Sequence, residues 1–122
     1  MLILDSTVSG GAASTLAQKF VLAGKTPVLV SPATWSTMTA ADFDSYDAIV
    51  LGDPTCETLG PQVAVTANAA VWSSVVTATS WSSVPTRRIT RAAAAADLME
   101  KAAAFTVAAA GKTGAYISLS CY

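Results

Sequence analysis

The sequence predicts an α/β domain in three layers, with helices on both faces of a parallel sheet. Three observations predict it. MLILD at the start and DAIVLG at 47–52 are short apolar runs without polar alternation, the pattern of strands covered on both faces. Stretches of helical apolar spacing lie between and after such runs, so strands and helices alternate. Finally, a chain of 122 residues, 52% apolar and 12% charged, suffices for one domain and one core. Much of that apolar content is alanine, which limits the depth of the core.

Taken in order, Met1–Asp5 is the first strand and Ser6–Gly11 a turn. Ala12–Ala23 reads as a helix with Leu16, Phe20 and Ala23 on one face, stopped by Gly24. Thr26–Ser31 is the second strand, with Pro27 near its start, where a missing N–H is tolerated. Thr39–Asp42 has the form of a capping box and opens a short helix through Phe43. Asp47–Gly52 is the third strand. Gly60 and Pro61 open a helix to about Val76, with Val65, Ala69, Trp72 and Val76 on one side. The last helix covers roughly Ala92–Ala110, with Leu98, Ala102, Phe105 and Ala109 recurring at helical spacing, and Ala115–Cys121 is the final strand. A buried strand is due between the last two helices, but 77–91 (TATSWSSVPTRRITR) is a poor candidate, with at most Thr79–Val84 extended. Right-handed crossovers then favour a flavodoxin-like order, 2-1-3-(4)-5, with the fourth strand degraded and no C-terminal helix.

Charge and residue inventory exclude several functions. A net charge of −1 provides no basic face for nucleic acid. The sequence has no histidine, and its two cysteines, Cys56 and Cys121, have no metal-ligand spacing, which removes histidine-based triads, Cys–His dyads and most zinc chemistry. No run approaches the ~20 apolar residues of a membrane span, and Met1 leads directly into strand residues, so no membrane association and a cytoplasmic location are expected for the chain as written.

The stretches LILDSTVSGGAAS, TWSTMTAADFDSYDAIVLGDPTC and AGKTGAYISLSCY resemble a domain of large bacterial secreted proteins, a family similar in fold to class I glutamine amidotransferases and of no settled activity. The resemblance covers most of residues 1–76 and 97–122. It implies that the chain is a fragment of a larger protein, and that an apolar strand, a GTDP turn and a histidine should follow the third helix. Here they do not. The peptide TATSWSSVPTRRITR can be written in codons that, after insertion of one base behind the first codon, read TGNVVVVGTDPPYHA. Residues from about Ala78 to Arg91 therefore read as an out-of-frame insert, with the frame restored near the alanine run at 92–96. Loss of a valine-rich strand and of a closing helix, on a surface with few charges, leads us to expect a dimer or larger, with 77–91 exchanged between chains or lining the interface.

Candidate chemistry lies at the carboxyl ends of the strands, where parallel sheets collect their ligands. Asp5, Ser6, Thr7, Ser9, Gly10 and Gly11 join the first strand to the first helix, and small residues beside a helix N-terminus suit an anion. The same residues equally fit a plain capped turn, with Ser9 as the cap. Asp53, Pro54, Thr55 and Cys56 follow the third strand. Asp5 and Asp53 form a candidate carboxylate pair for Mg²⁺ or Mn²⁺ or for acid–base work, with turn capping as the plainer role. The resemblance puts Cys56 in the region of an amidotransferase nucleophile, but no histidine can activate it. Thr106–Thr113 (TVAAAGKT) imitates the end of a phosphate loop, yet a helix precedes it where a strand is required, so it reads as a helix C-terminus with Lys112 beside it. Arg87, Arg88 and Arg91 are the only basic cluster and read as solvated or as paired with a partner's acids. Two functions follow: a non-catalytic or small-anion-binding module, or a weak, metal-assisted hydrolase of activated esters or phosphoesters using Asp5 or Asp53.

Overall fold

All residues of β1 (Leu2–Leu4) and β3 (Ala48–Leu51) are buried, as their unbroken apolar sequence requires, and the two strands pair in parallel at the heart of a five-stranded sheet. The computed structural model describes residues 1–52, 63–83 and 92–118. The sheet also holds β2 (Val28–Val30), β4 (Val76–Ser83) and β5 (Thr113–Ser118), every pairing is parallel, and the strand order is β2-β1-β3-β5-β4.

Alternate residues of each central strand feed two cores. Ile3, Ala48, Val50 and Tyr116 point to one face, where Ala17 and Phe20 of α1 (Thr15–Leu22) and Ala102 and Ala103 of α6 (Ala92–Thr106) cover them. Phe20 meets Tyr116 edge to face at 5.7 Å. Leu2, Leu4, Ile49 and Leu51 point to the other face. There they meet Trp35 of α2 (Pro32–Thr37), Phe43 of α3 (Ala40–Asp44), Ala64 and Val65 of α4 (Val63–Ala67), and partly buried Val71 and Trp72 of α5 (Ala69–Ser74). The three-layer α/β architecture is thus the one the strand–helix alternation predicts.

The crossovers share one hand. Connections that move toward the β2 edge, β1 to β2 and β4 to β5, carry α1 and α6 on one face; those that move the other way, β2 to β3 and β3 to β4, carry α2 to α5 on the opposite face.

The structure corrects several expectations. The first three strands take the order 2-1-3, but beyond them the last strand, rather than the fourth, lies beside β3. The apolar Ala115 and Tyr116 are almost wholly buried there, whereas the Ser/Thr-rich β4 takes the edge, where a polar sequence costs less. β4 is also longer than expected, beginning at Val76. It is irregular: Val76 pairs with Thr113 and Ser80 with Ala115, so β4 advances four residues while β5 advances two.

The first helix begins at Thr15 rather than Ala12, because a 3₁₀ turn occupies Gly11–Ala13 and Ser14, not Ser9, supplies the N-cap. The helix foreseen up to Val76 is broken at Asn68. That buried side chain donates to the Trp35 and Met38 carbonyls at 2.8 and 3.2 Å, tying α4 and α5 to the end of α2. On α6 the buried positions are Ala102, Ala103 and Thr106, while Leu98 and Phe105 remain 38% and 49% exposed. Small residues prevail because the helix approaches the sheet closely: a Cβ on Gly114 of β5 would overlap the Thr106 carbonyl. The Thr39–Asp42 capping box forms as read.

Candidate functional site

The chain leaves β1 toward α1 on one face and β3 toward α4 on the other, so the direction of winding reverses between neighbouring β1 and β3 at their carboxyl ends. This is the topological switch point at which parallel sheets bind ligands. The two strand ends touch: a Cβ on buried Gly52 would overlap the Thr7 carbonyl oxygen and press on Leu16. Only a glycine there lets the turn after β1 lie against the end of β3.

The turn itself is a 3₁₀ segment, Asp5–Thr7, closed by a Val8 N–H to Asp5 carbonyl bond of 3.2 Å. Asp5, Ser6, Ser9 and Gly10 are exposed and Gly11 is half-buried. Thr7 differs. It is 1% exposed, and its hydroxyl donates inward to the Leu4 carbonyl at 2.7 Å, so it stabilises the turn and is not presented to a ligand. Gly10 and Gly11 adopt φ of 91° and 57°, a consecutive left-handed pair that side-chain-bearing residues rarely take.

The helix N-terminus expected directly behind Gly11 stands three residues further on and is already engaged. Ser14 Oγ accepts from the Ala17 N–H at 3.2 Å, and Gln18 Nε2 donates to the Ala12 carbonyl at 2.8 Å. What the described edge presents is therefore one carboxylate, Asp5, and two hydroxyls, Ser6 and Ser9. The described residues contain no group of three His, Cys, Asp or Glu side chains able to hold a metal.

Asp53, Thr55 and Cys56 lie outside the described residues, as do Arg87, Arg88, Arg91 and Cys121. Lys112 is exposed after the end of α6, in a helix–loop–strand setting opposite to that of a phosphate loop, and Thr113 uses its hydroxyl on the Tyr46 carbonyl at 2.7 Å.

A second feature escaped the sequence reading. Between α2, α3 and the end of β2 lies a recess of about 340 Å³, lined by Val30, Thr34, Thr37, Met38, Asp42, Ser45 and Tyr46. Its one early signal is the capping box, which sets Asp42 at the start of α3. α2 was not foreseen, because PATWST carries no amphipathic period; its formation rests on Ser31 as N-cap, accepting from Thr34 N–H at 3.1 Å, on Pro32 in the first turn, and on burial of Trp35 against Phe43.

Compared with known proteins, the chain matches no family model, no curated protein and no solved structure. No helix among the described residues is long and apolar enough to cross a membrane.

Proposed function

We propose that this domain is a non-catalytic binding module whose strand-end edge takes a small anionic ligand through a bridging Mg²⁺ or Mn²⁺ ion. The observation that supports this reading is the contact of the loop after β1 with the end of β3 at the switch point, with Asp5, Ser6 and Ser9 exposed on that loop. The engaged helix N-terminus weakens the case for direct anion capture, and an exposed carboxylate repels a bare anion. A divalent cation resolves both, because it takes carboxylate and hydroxyl oxygens on one side and phosphate oxygens on the other. Asp53, the residue after Gly52, is the second carboxylate of this reading. Binding without turnover is favoured because the whole sequence lacks histidine, so neither a hydroxyl nor the Cys56 thiol has an imidazole base to activate it.

Titration of the ¹⁵N-labelled chain with inorganic phosphate, with and without Mg²⁺, tests the proposal. Amides of Ser6–Gly11 are expected to shift in the presence of the metal, and Asp5→Asn to weaken the response about tenfold, as for loss of one charge-assisted contact. Silence at Ser6–Gly11, or shifts confined to 111–114, shows that the site is elsewhere. Metal-dependent turnover of an activated phosphoester that Asp53→Asn abolishes would replace binding by hydrolysis.

A further inference from the structure

Two of the hydroxyls that line the recess between α2 and α3, those of Thr37 and Ser45, have their protons already committed. Thr37 Oγ1 donates to the Thr34 carbonyl at 2.9 Å and Ser45 Oγ to the Asp42 carbonyl at 2.6 Å, so each hydroxyl retains only acceptor capacity. Asp42 Oδ2 accepts from both the Thr39 N–H and the Thr39 hydroxyl, each at 2.7 Å, which fixes the carboxylate at the rim and leaves Oδ1 for another donor. The same two bonds lower the Asp42 pKa and keep the group ionised. Half-buried Val30, Met38 and Tyr46 add apolar surface beneath this rim.

An acceptor-rich, negatively charged and partly apolar recess is complemented by a cation that only donates hydrogen bonds and carries a short hydrocarbon stem. A neutral polyol brings no countercharge to Asp42, and an anion is repelled by it. The volume of about 340 Å³ is at the small end of ligand sites. We infer that this recess binds a small primary alkylammonium ligand, with the ammonium on Asp42 and the stem over Met38 and Tyr46. The site is separate from the strand-end edge and stands or falls independently of it.

The test is an NMR titration of the full chain with n-butylammonium chloride and, in parallel, with 1-butanol at matched ionic strength. Saturable shifts across Thr34–Tyr46 are expected with butylammonium, with affinity about threefold above that for butanol, the difference expected for one ion pair at an exposed carboxylate. Asp42→Asn, which retains an oxygen for the capping box, is expected to reduce butylammonium affinity to that of butanol. Equal responses to the two probes, a linear response without saturation, or an unchanged affinity in the variant overturns the assignment. Should the variant unfold, the ratio of the two probes on the unaltered chain decides. The phosphate titration reads different amides, so failure at one site is distinguishable from failure at the other.

Discussion

The sheet has two unlike halves. In β2-β1-β3 the strands are short, yet all seven residues of β1 and β3 are buried, and the helices that cover them are anchored by large side chains, Phe20 on one face and Trp35 and Phe43 on the other. In β5-β4 the outer strand is the longest of the five, with eight residues of sequence VTATSWSS, and its pairing slips by two residues. Strand length is thus no measure of what a strand contributes. Depth in the sheet went to apolar sequence: AYI of β5 displaced the polar fourth strand from the place beside β3, although it comes later in the chain.

Truncating one side chain in each half separates the two by the largest effect. Ile49→Ala, in a fully buried position between β1 and β5, is expected to cost about 3–4 kcal/mol in urea unfolding, whereas Val76→Ala, half-buried in β4, is expected to cost about 1 kcal/mol. Equal losses would show that the two halves are equally packed.

A smaller gain is expected from repairing the weak half. Replacing residues 78–91 by GNVVVVGTDPPYHA puts four valines where the out-of-frame reading locates the lost strand. Partial burial of two of them is expected to add about 2 kcal/mol. A replacement no more stable than the original chain, or a source gene whose shifted codons encode no such valine run, removes the out-of-frame explanation of this segment.

The smallest effect belongs to the strong half and is read by pH. Hydrogen bonds from the Thr39 backbone and side chain hold the Asp42 carboxyl below its ordinary 3.8. A carboxyl depressed in the folded state binds fewer protons there than in the unfolded chain. Its stabilisation is therefore complete above 3.8 and fades as pH falls through the lower folded value. The unfolding midpoint of the wild type is expected to decline more steeply below that pH than that of Asp42→Asn; parallel declines would show that ionisation of Asp42 contributes nothing to stability.

Reading from sequence succeeded where a local pattern had a local cause. MLILD and DAIVLG have no polar face, so each had to be covered twice, and Thr39 with Asp42 three residues on closes a capping box without outside help. It failed where two patterns were equally good until packing chose between them. Leu98 and Phe105 form as plausible a buried stripe on α6 as Ala102, Ala103 and Thr106, but the close approach at Gly114 admits only small side chains. Asn68 interrupts an apolar stretch for a reason thirty residues away, two carbonyls at the end of α2. The edge where the loop after β1 meets the end of β3 was legible because a parallel sheet brings those strand ends together. Its contents were less so: Ser6 and Ser9 face solvent, whereas Thr7, chemically alike, turns inward to Leu4.

The α/β class and the two buried strands β1 and β3 were legible from the sequence alone, since each follows from composition or from runs a few residues long. The order of β4 and β5, the face that α6 buries, the start of α1 at Thr15 and the existence of the α2–α3 recess were fixed by packing. These depend on contacts between residues far apart in the chain, and the free energy that selects among them, the fit of one surface against another, is absent from any single segment.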